Sequence, residues 1–419
     1  MRSIALALIA SLTVACTSGE LIGGDDDSGA RDDTATGGTD TSTSPSDTST
    51  GGSDTSTGGE DTSTSSTDTA TSATDTSTAT TDTATGGTDT STTTTDTGSV
   101  ADTAKTDTAI GTDTGTTTGS PPTIAGCRIF PADNPWNTDI SGYPKSASDA
   151  TWRTTMHPTT ALHADWGRWA DGYGIPFNTG TGAPAVKMTW TETWGAAESD
   201  KLPCTGSEWC YPIPSTCKIE GGPSASSGSD RHLLYLDTAG APNNCTLYEI
   251  YNTQNWTGPG WTAINGAIFR LGTNALRPDG WTSGDAAGLP ILPGLVRFDE
   301  VASGEIKHAL RFTMNNTYQG YIHPATHAAG LSSSANPPMG LRMRLTADIS
   351  SFTGPAKVIL TAMKKYGIIL ADNGSNWYIT GDSDDRWGAS IGAINTAFGS
   401  IHGSDFEAVD TGPVSTAGL

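Results

Sequence analysis

The stretch RHLLYLDTAGAPNNCTLYEIYN (231–252) decides the fold class. Aliphatic and aromatic residues fill RHLLYLD (231–237) and CTLYEIYN (245–252), and a Gly, Pro and Asn cluster separates them, which is the composition of two strands around a turn. Working outward, GAIFRL (266–271), EIKHALRFTM (305–314), LRMRL (341–345) and NWYIT (376–380) repeat that pattern between further Gly/Pro/Asn/Asp breaks. One helix stands out. Pro355 suits a first turn, Val358, Ile359, Ala362, Met363 and Tyr366 follow a 3.6-residue period, and Gly367 offers a left-handed cap. A shorter helix is expected within 390–398. The sum predicts a mainly β fold: an antiparallel β-sandwich or jelly roll with a few peripheral helices. Residues 127–225, rich in Pro/Gly loops, are expected to form an N-terminal lobe on the same body.

The body occupies only part of the 419 residues. All 30 aromatic residues follow position 120, and residues 21–120 carry 18 acidic against 2 basic side chains in a Thr/Asp/Ser/Gly background. Such a segment lacks the apolar surface to offset the entropy of ordering, so 16–120 reads as a disordered, self-repelling acidic tether. Residues 121–419 then hold 26 acidic and 19 basic residues, with no Lys/Arg cluster that would release phosphate counterions. Nucleic acid is excluded as a partner on that ground.

At the other end, an apolar run from Ile4 to Val14 follows Arg2 and stops at Ala15 and Cys16. It is too short to span a bilayer and has the layout of a cleavable secretion signal over 1–15. The string LTVAC (12–16) resembles the lipobox of bacterial lipoproteins, with Thr13 where that family usually has Leu. The resemblance implies acylation of Cys16, a lipid anchor in the outer membrane and an exposed or extracellular body. Membrane contact is expected through the anchor alone.

Five further cysteines, Cys127, Cys204, Cys210, Cys217 and Cys245, allow at most two intrachain bridges and leave one thiol. A local bridge among Cys204, Cys210 and Cys217 is preferred, because these frame a Pro/Gly loop. Their spacings exceed those of zinc knuckles. FPADNPWN (130–137), ALRPDGWTSGDAAGLPILPGL (275–295), HALRF (308–312) and ADNGSNWY (371–378) make 127–410 resemble a group of secreted bacterial and fungal proteins. That resemblance brings no activity with it.

Function must therefore be sought in polar residues on apolar faces. Alternation places Glu249 in line with Cys245, Leu247 and Tyr251, and His308 in line with Ile306, Leu310 and Phe312. It turns Arg311, Arg342 and Arg344 outward. Carboxylates on core faces must pair or shift their pKa, as catalytic acids do. The loop WTSGDAAGLPILPGL (281–295) supplies Asp285 as a second carboxylate. Glu249 and Asp285 are thus expected as the acid and base or nucleophile of a glycosidase, with His308 and Arg344 as positioning or charge-stabilising groups. A lyase would use His or Tyr as base instead.

Asp230, His232 and Asp372 are expected to line a cleft, with His327 contributing singly. Pro324 prevents a helical metal pair of His323 and His327. No metal or cofactor is expected. Trp281 and Trp377, with Trp256, Trp261 and Trp387, are candidate stacking platforms for sugar rings. The expected partner is an extracellular polysaccharide. The alternative is a non-catalytic carbohydrate-binding or adhesion module.

Overall fold

The computed structural model describes residues 120–222 and 230–419; the signal run, Cys16 and the acidic tether lie outside the described residues. The chain is mainly β with few helices. Ten strands build its two larger sheets: β1 (His163–Gly167), β2 (Phe177–Gly180), β3 (Leu233–Asp237), β4 (Thr246–Tyr251), β5 (Asn265–Arg270), β6 (Leu310–Met314), β7 (Arg342–Leu345), β8 (Ile368–Asn373), β9 (Tyr378–Ser383) and β10 (Phe406–Ala408). One sheet has the order β5-β4-β3-β2 and the other β10-β7-β8-β6-β9-β1. Most neighbours are antiparallel, while β2 with β3, β6 with β8 and β1 with β9 run parallel.

The opening stretch is apolar nearly throughout because its sheet is covered on both faces. Leu234, Leu236 and Leu247 enter the core shared with the six-stranded sheet. Their neighbours Leu233, Tyr235, Tyr248 and Ile250 enter a second core with Met188, Tyr211 and Trp261. Those three come from a small ladder of Val186–Trp190, Cys210–Tyr211 and Trp261–Ala263. The register sets Leu234, Glu249 and Ala267 side by side, so Glu249 faces the space between the two larger sheets.

The helices form as expected, over Gly354–Lys365 and Ile391–Phe398. Gly367 has φ +72°, and a Cβ there would stand 2.5 Å from the Met343 carbonyl oxygen, so both its backbone angle and its neighbour require glycine.

Two strand expectations need correction. Only Leu310–Met314 of 305–314 is a strand, and His308 precedes it. The Ala309 amide donates to Trp136 O at 2.8 Å instead of joining a ladder. Arg342 and Arg344 do not face solvent either. Arg342 donates to the carbonyl oxygens of Tyr366, Pro135 and Thr138. Arg344 donates to those of Ile140, Ser141 and Tyr143. The segment around FPADNPWN thus covers that end of the sheet, shaped by Asn137 Nδ2 donating at 2.9 Å to both Ile129 O and Pro131 O.

Cysteine pairing is Cys127–Cys245 and the local Cys204–Cys210, with Cys217 free. The first bridge spans 118 residues and ties the start of the body to the residue before β4. Replacing both Cys127 and Cys245 by Ala is expected to lower stability by about 2–5 kcal/mol through the longer free loop of the unfolded chain. Urea unfolding measures this, and an unchanged midpoint would contradict it.

Candidate functional site

The space between the sheets holds an unusual number of charges. From β4, the Glu249 carboxylate, 0% exposed, accepts from the Ile291 amide at 2.8 Å and the Leu292 amide at 2.9 Å. It therefore caps the short turn Leu292–Gly294 and fastens the 281–295 loop to the sheet. Burial pushes Glu249 up to about 7, against the pull of those two amides. From β6, Arg311 reaches into the same space because the loop covers the face that alternation assigned to solvent. Its Nε donates to Asp285 Oδ2 at 3.1 Å, its Nη2 to Asp285 Oδ1, and its Nη1 to Thr380 Oγ1 at 2.6 Å.

A second buried pair stands beside it. His232 Nδ1 lies 2.6 Å from Glu220 Oε2, and Nε2 lies 2.9 Å from Gly284 O. Both partners are acceptors, so both ring nitrogens donate and the ring is an imidazolium. Burial opposes that charge, but Glu220 outweighs it and holds His232 up at about 10. Glu220 in turn stays below its ordinary value despite burial, because His232 faces it. Asp165 on β1 pairs in register with Thr380 of β9, and burial followed by the Glu220 charge raises it.

Above this layer opens a cavity of about 550 Å³. Its wall includes Thr282, Ser283, Gly284 and Ala286 of the covering loop, Tyr251 at the end of β4, and Asp372 and Asn373 at the end of β8. Asp230, His327, Ala329, Trp194 and Glu198 complete it. The Asp372 side chain is 21% exposed, with one oxygen 3.8 Å from Arg311 Nη2. Burial and then the Asp285 charge raise its pKa. Asp230 is exposed, and the charges of Asp230 and Asp372 both add to the burial that raises Tyr251. His327 Nδ1 donates to Ala286 O at 2.7 Å, which leaves Nε2 as its remaining ring nitrogen. One mostly covered and one solvent-facing carboxyl group in a shared cavity can exchange protons with a bound hydroxyl or ether oxygen.

The expected site residues separate accordingly. Asp230, Asp372 and His327 come together in the wall, and the 281–295 loop supplies part of it. His232 does not line the cavity; it stands behind Gly284 and holds it. The Glu249/Asp285 catalytic pair is overturned: the oxygens of Glu249 are taken by backbone amides, those of Asp285 by Arg311, and neither side chain reaches the wall. His308 is also buried away from it, bonded to Ala309 O at 2.7 Å and Glu300 Oε2 at 2.9 Å. Arg344 pairs with Glu407 and fastens the N-terminal segment.

Among the rings, Trp377 is fully buried between Phe312 and Phe406, and Trp281 packs over Arg277. Trp261 and Trp387 are buried, and Trp256 packs edge-on against Trp261. The tryptophan among the lining residues is Trp194, which the sequence alone did not mark, as it did not mark Glu198 or Tyr251. His323 pairs with Asp279 at 2.9 Å, apart from His327. Among the described residues no group of three or more His, Cys, Asp or Glu side chains is arranged to hold a metal ion.

No family model, no curated protein and no solved structure matches the chain.

Arg311→Met is expected to lower stability by about 3–5 kcal/mol, since it strands Asp285 as a buried unpaired charge, and adding Asp285→Asn should restore part of that loss. Urea unfolding of the single and double variants checks this. Equal losses in both variants would show that the charge pair is not what holds the loop.

Proposed function

We propose that the cavity binds an extracellular glycan and cleaves it by acid–base hydrolysis, with Asp372 as the general acid and Asp230 as the second carboxyl group. The observation that carries this reading is the meeting of the two groups in one cavity in contrasting surroundings, Asp372 mostly covered and Asp230 open to solvent. An acid must keep its proton near neutral pH, and burial beside Asp285 favours that at Asp372. The partner must be open to solvent and water in the same cavity, and Asp230 is exposed in that wall. His327 Nε2 and Asn373 offer polar contacts for sugar hydroxyls, and Trp194 and Tyr251 offer ring faces for stacking.

We further infer that the body works at the cell envelope, held by a lipid on Cys16 through the acidic tether. The apolar run before LTVAC supports this, as do two disulfides, which belong to oxidising compartments. Acyl chains on one cysteine suffice for a stable anchor.

Incubation of the purified chain with a polysaccharide panel should release new reducing ends. Asp372→Asn and Asp230→Asn are each expected to slow release by about 10²–10⁴-fold while leaving glycan affinity nearly intact. Parent activity should fall as pH rises and Asp372 loses its proton, and that limb should vanish in Asp372→Asn. Binding without product from any glycan would favour the adhesion-module reading instead. For the anchor, Cys16→Ser should move the chain from the membrane fraction to the medium; retention in the membrane would refute lipidation at that residue.

A further inference from the structure

The lining of the cavity has a one-sided charge. Asp230, Asp372 and Glu198 are acidic, and neither Lys nor Arg is among the lining residues. Beneath it, the cations Arg311 and His232 are already engaged by Asp285 and Glu220.

Within the lining, Trp194 and Glu198 form a distinct seat. They are four residues apart, and the Glu198 amide donates to Trp194 O at 3.1 Å, so a helical turn sets the two side chains on one face. The Trp194 ring is part of a residue 45% exposed, which leaves ring surface for a ligand. Glu198 Oε2 accepts from the Thr282 amide at 2.9 Å, which fixes the carboxylate and leaves Oε1 open. Arg277 donates to the Glu198 carbonyl at 2.6 Å and pairs its charge with Asp200. A carboxylate and an indole one helical turn apart in the same wall are the side chains that together recognise an ammonium group. A neutral sugar would gain little from it.

We propose that the glycan bound here carries free amino groups, and that Trp194 and Glu198 seat an ammonium on a sugar residue next to the bond that Asp372 and Asp230 act on. The inference rests on the glycan reading above and narrows it to aminated polymers.

Calorimetric titration of the full chain with β-1,4-linked tetramers of glucosamine, N-acetylglucosamine and glucose tests this, with spermidine as a non-sugar cation. The glucosamine tetramer is expected to bind about tenfold more tightly than the other two sugars, from one half-exposed ion pair and one cation–π contact. The advantage should shrink as salt is raised. In Glu198→Gln, whose amide oxygen can still accept from Thr282, the advantage should disappear while affinity for the glucose tetramer stays the same. Equal affinity for all three tetramers overturns the ammonium seat and leaves the glycan reading standing. Spermidine binding as tightly as the glucosamine tetramer, with the neutral sugars silent, supports the seat and sinks the glycan reading. Silence from every probe overturns both.

Discussion

One guanidinium organises the space between the two sheets. Arg311 enters that space from β6, and a buried cation there must find a carboxylate. It finds Asp285, and in doing so draws the 281–295 loop across a strand face that would otherwise meet water. Glu249 completes the closure from the opposite sheet by accepting from the amides of Ile291 and Leu292. The loop is therefore held at both ends of its crossing, and its Thr282–Gly284 portion becomes a fixed wall. A cavity with rigid walls can hold a substrate in one pose, which a loop tethered only by its own ends would not do.

The same cluster shows how fully engaged and partly open buried acids differ. Glu249, Asp285 and Asp372 are all raised by burial. In Glu249 and Asp285 every oxygen is engaged by amides or by Arg311. Asp372 keeps part of its carboxyl surface open: Oδ1 accepts from the Asn373 amide at 2.7 Å, while Oδ2 has only distant contact with Arg311, at 3.8 Å. A perturbed pKa marks all three, and access to a ligand singles out the last. Arg342 and Arg344 repeat the scaffold theme elsewhere, holding the 135–143 segment through its carbonyl oxygens, which explains why two arginines alternate in LRMRL without facing water.

Much of the fold was legible in the residues. The strands of 231–252, the helix begun by Pro355 and ended at Gly367, the bridge within 204–217 and the leftover thiol all follow from local pattern and parity. Part of the cavity lining was legible too: Asp230 and Asp372 were expected at a cleft, with His327 contributing singly, and all three stand in the wall. Arg311 was misread as a solvent-side residue, and Tyr251 as core, because alternation reports only that two side chains share a face. It carries no information about what lies on that face. His308 was misplaced because an apolar alternation continues through 305–309 although the backbone there bonds to Trp136.

Taken by itself, the chain determined its β-rich class, the acidic composition of 21–120, its cysteine parity and the kinds of side chain available for chemistry, since these depend on composition and short-range geometry. Only the tertiary structure decided which acids meet a cavity. Asp230 precedes β3 and Asp372 ends β8, in different sheets, and they share a wall because the loop pinned by Arg311 and Glu249 brings the sheets' ends around one opening. That convergence depends on contacts between residues far apart in sequence, where neither periodicity nor spacing reaches.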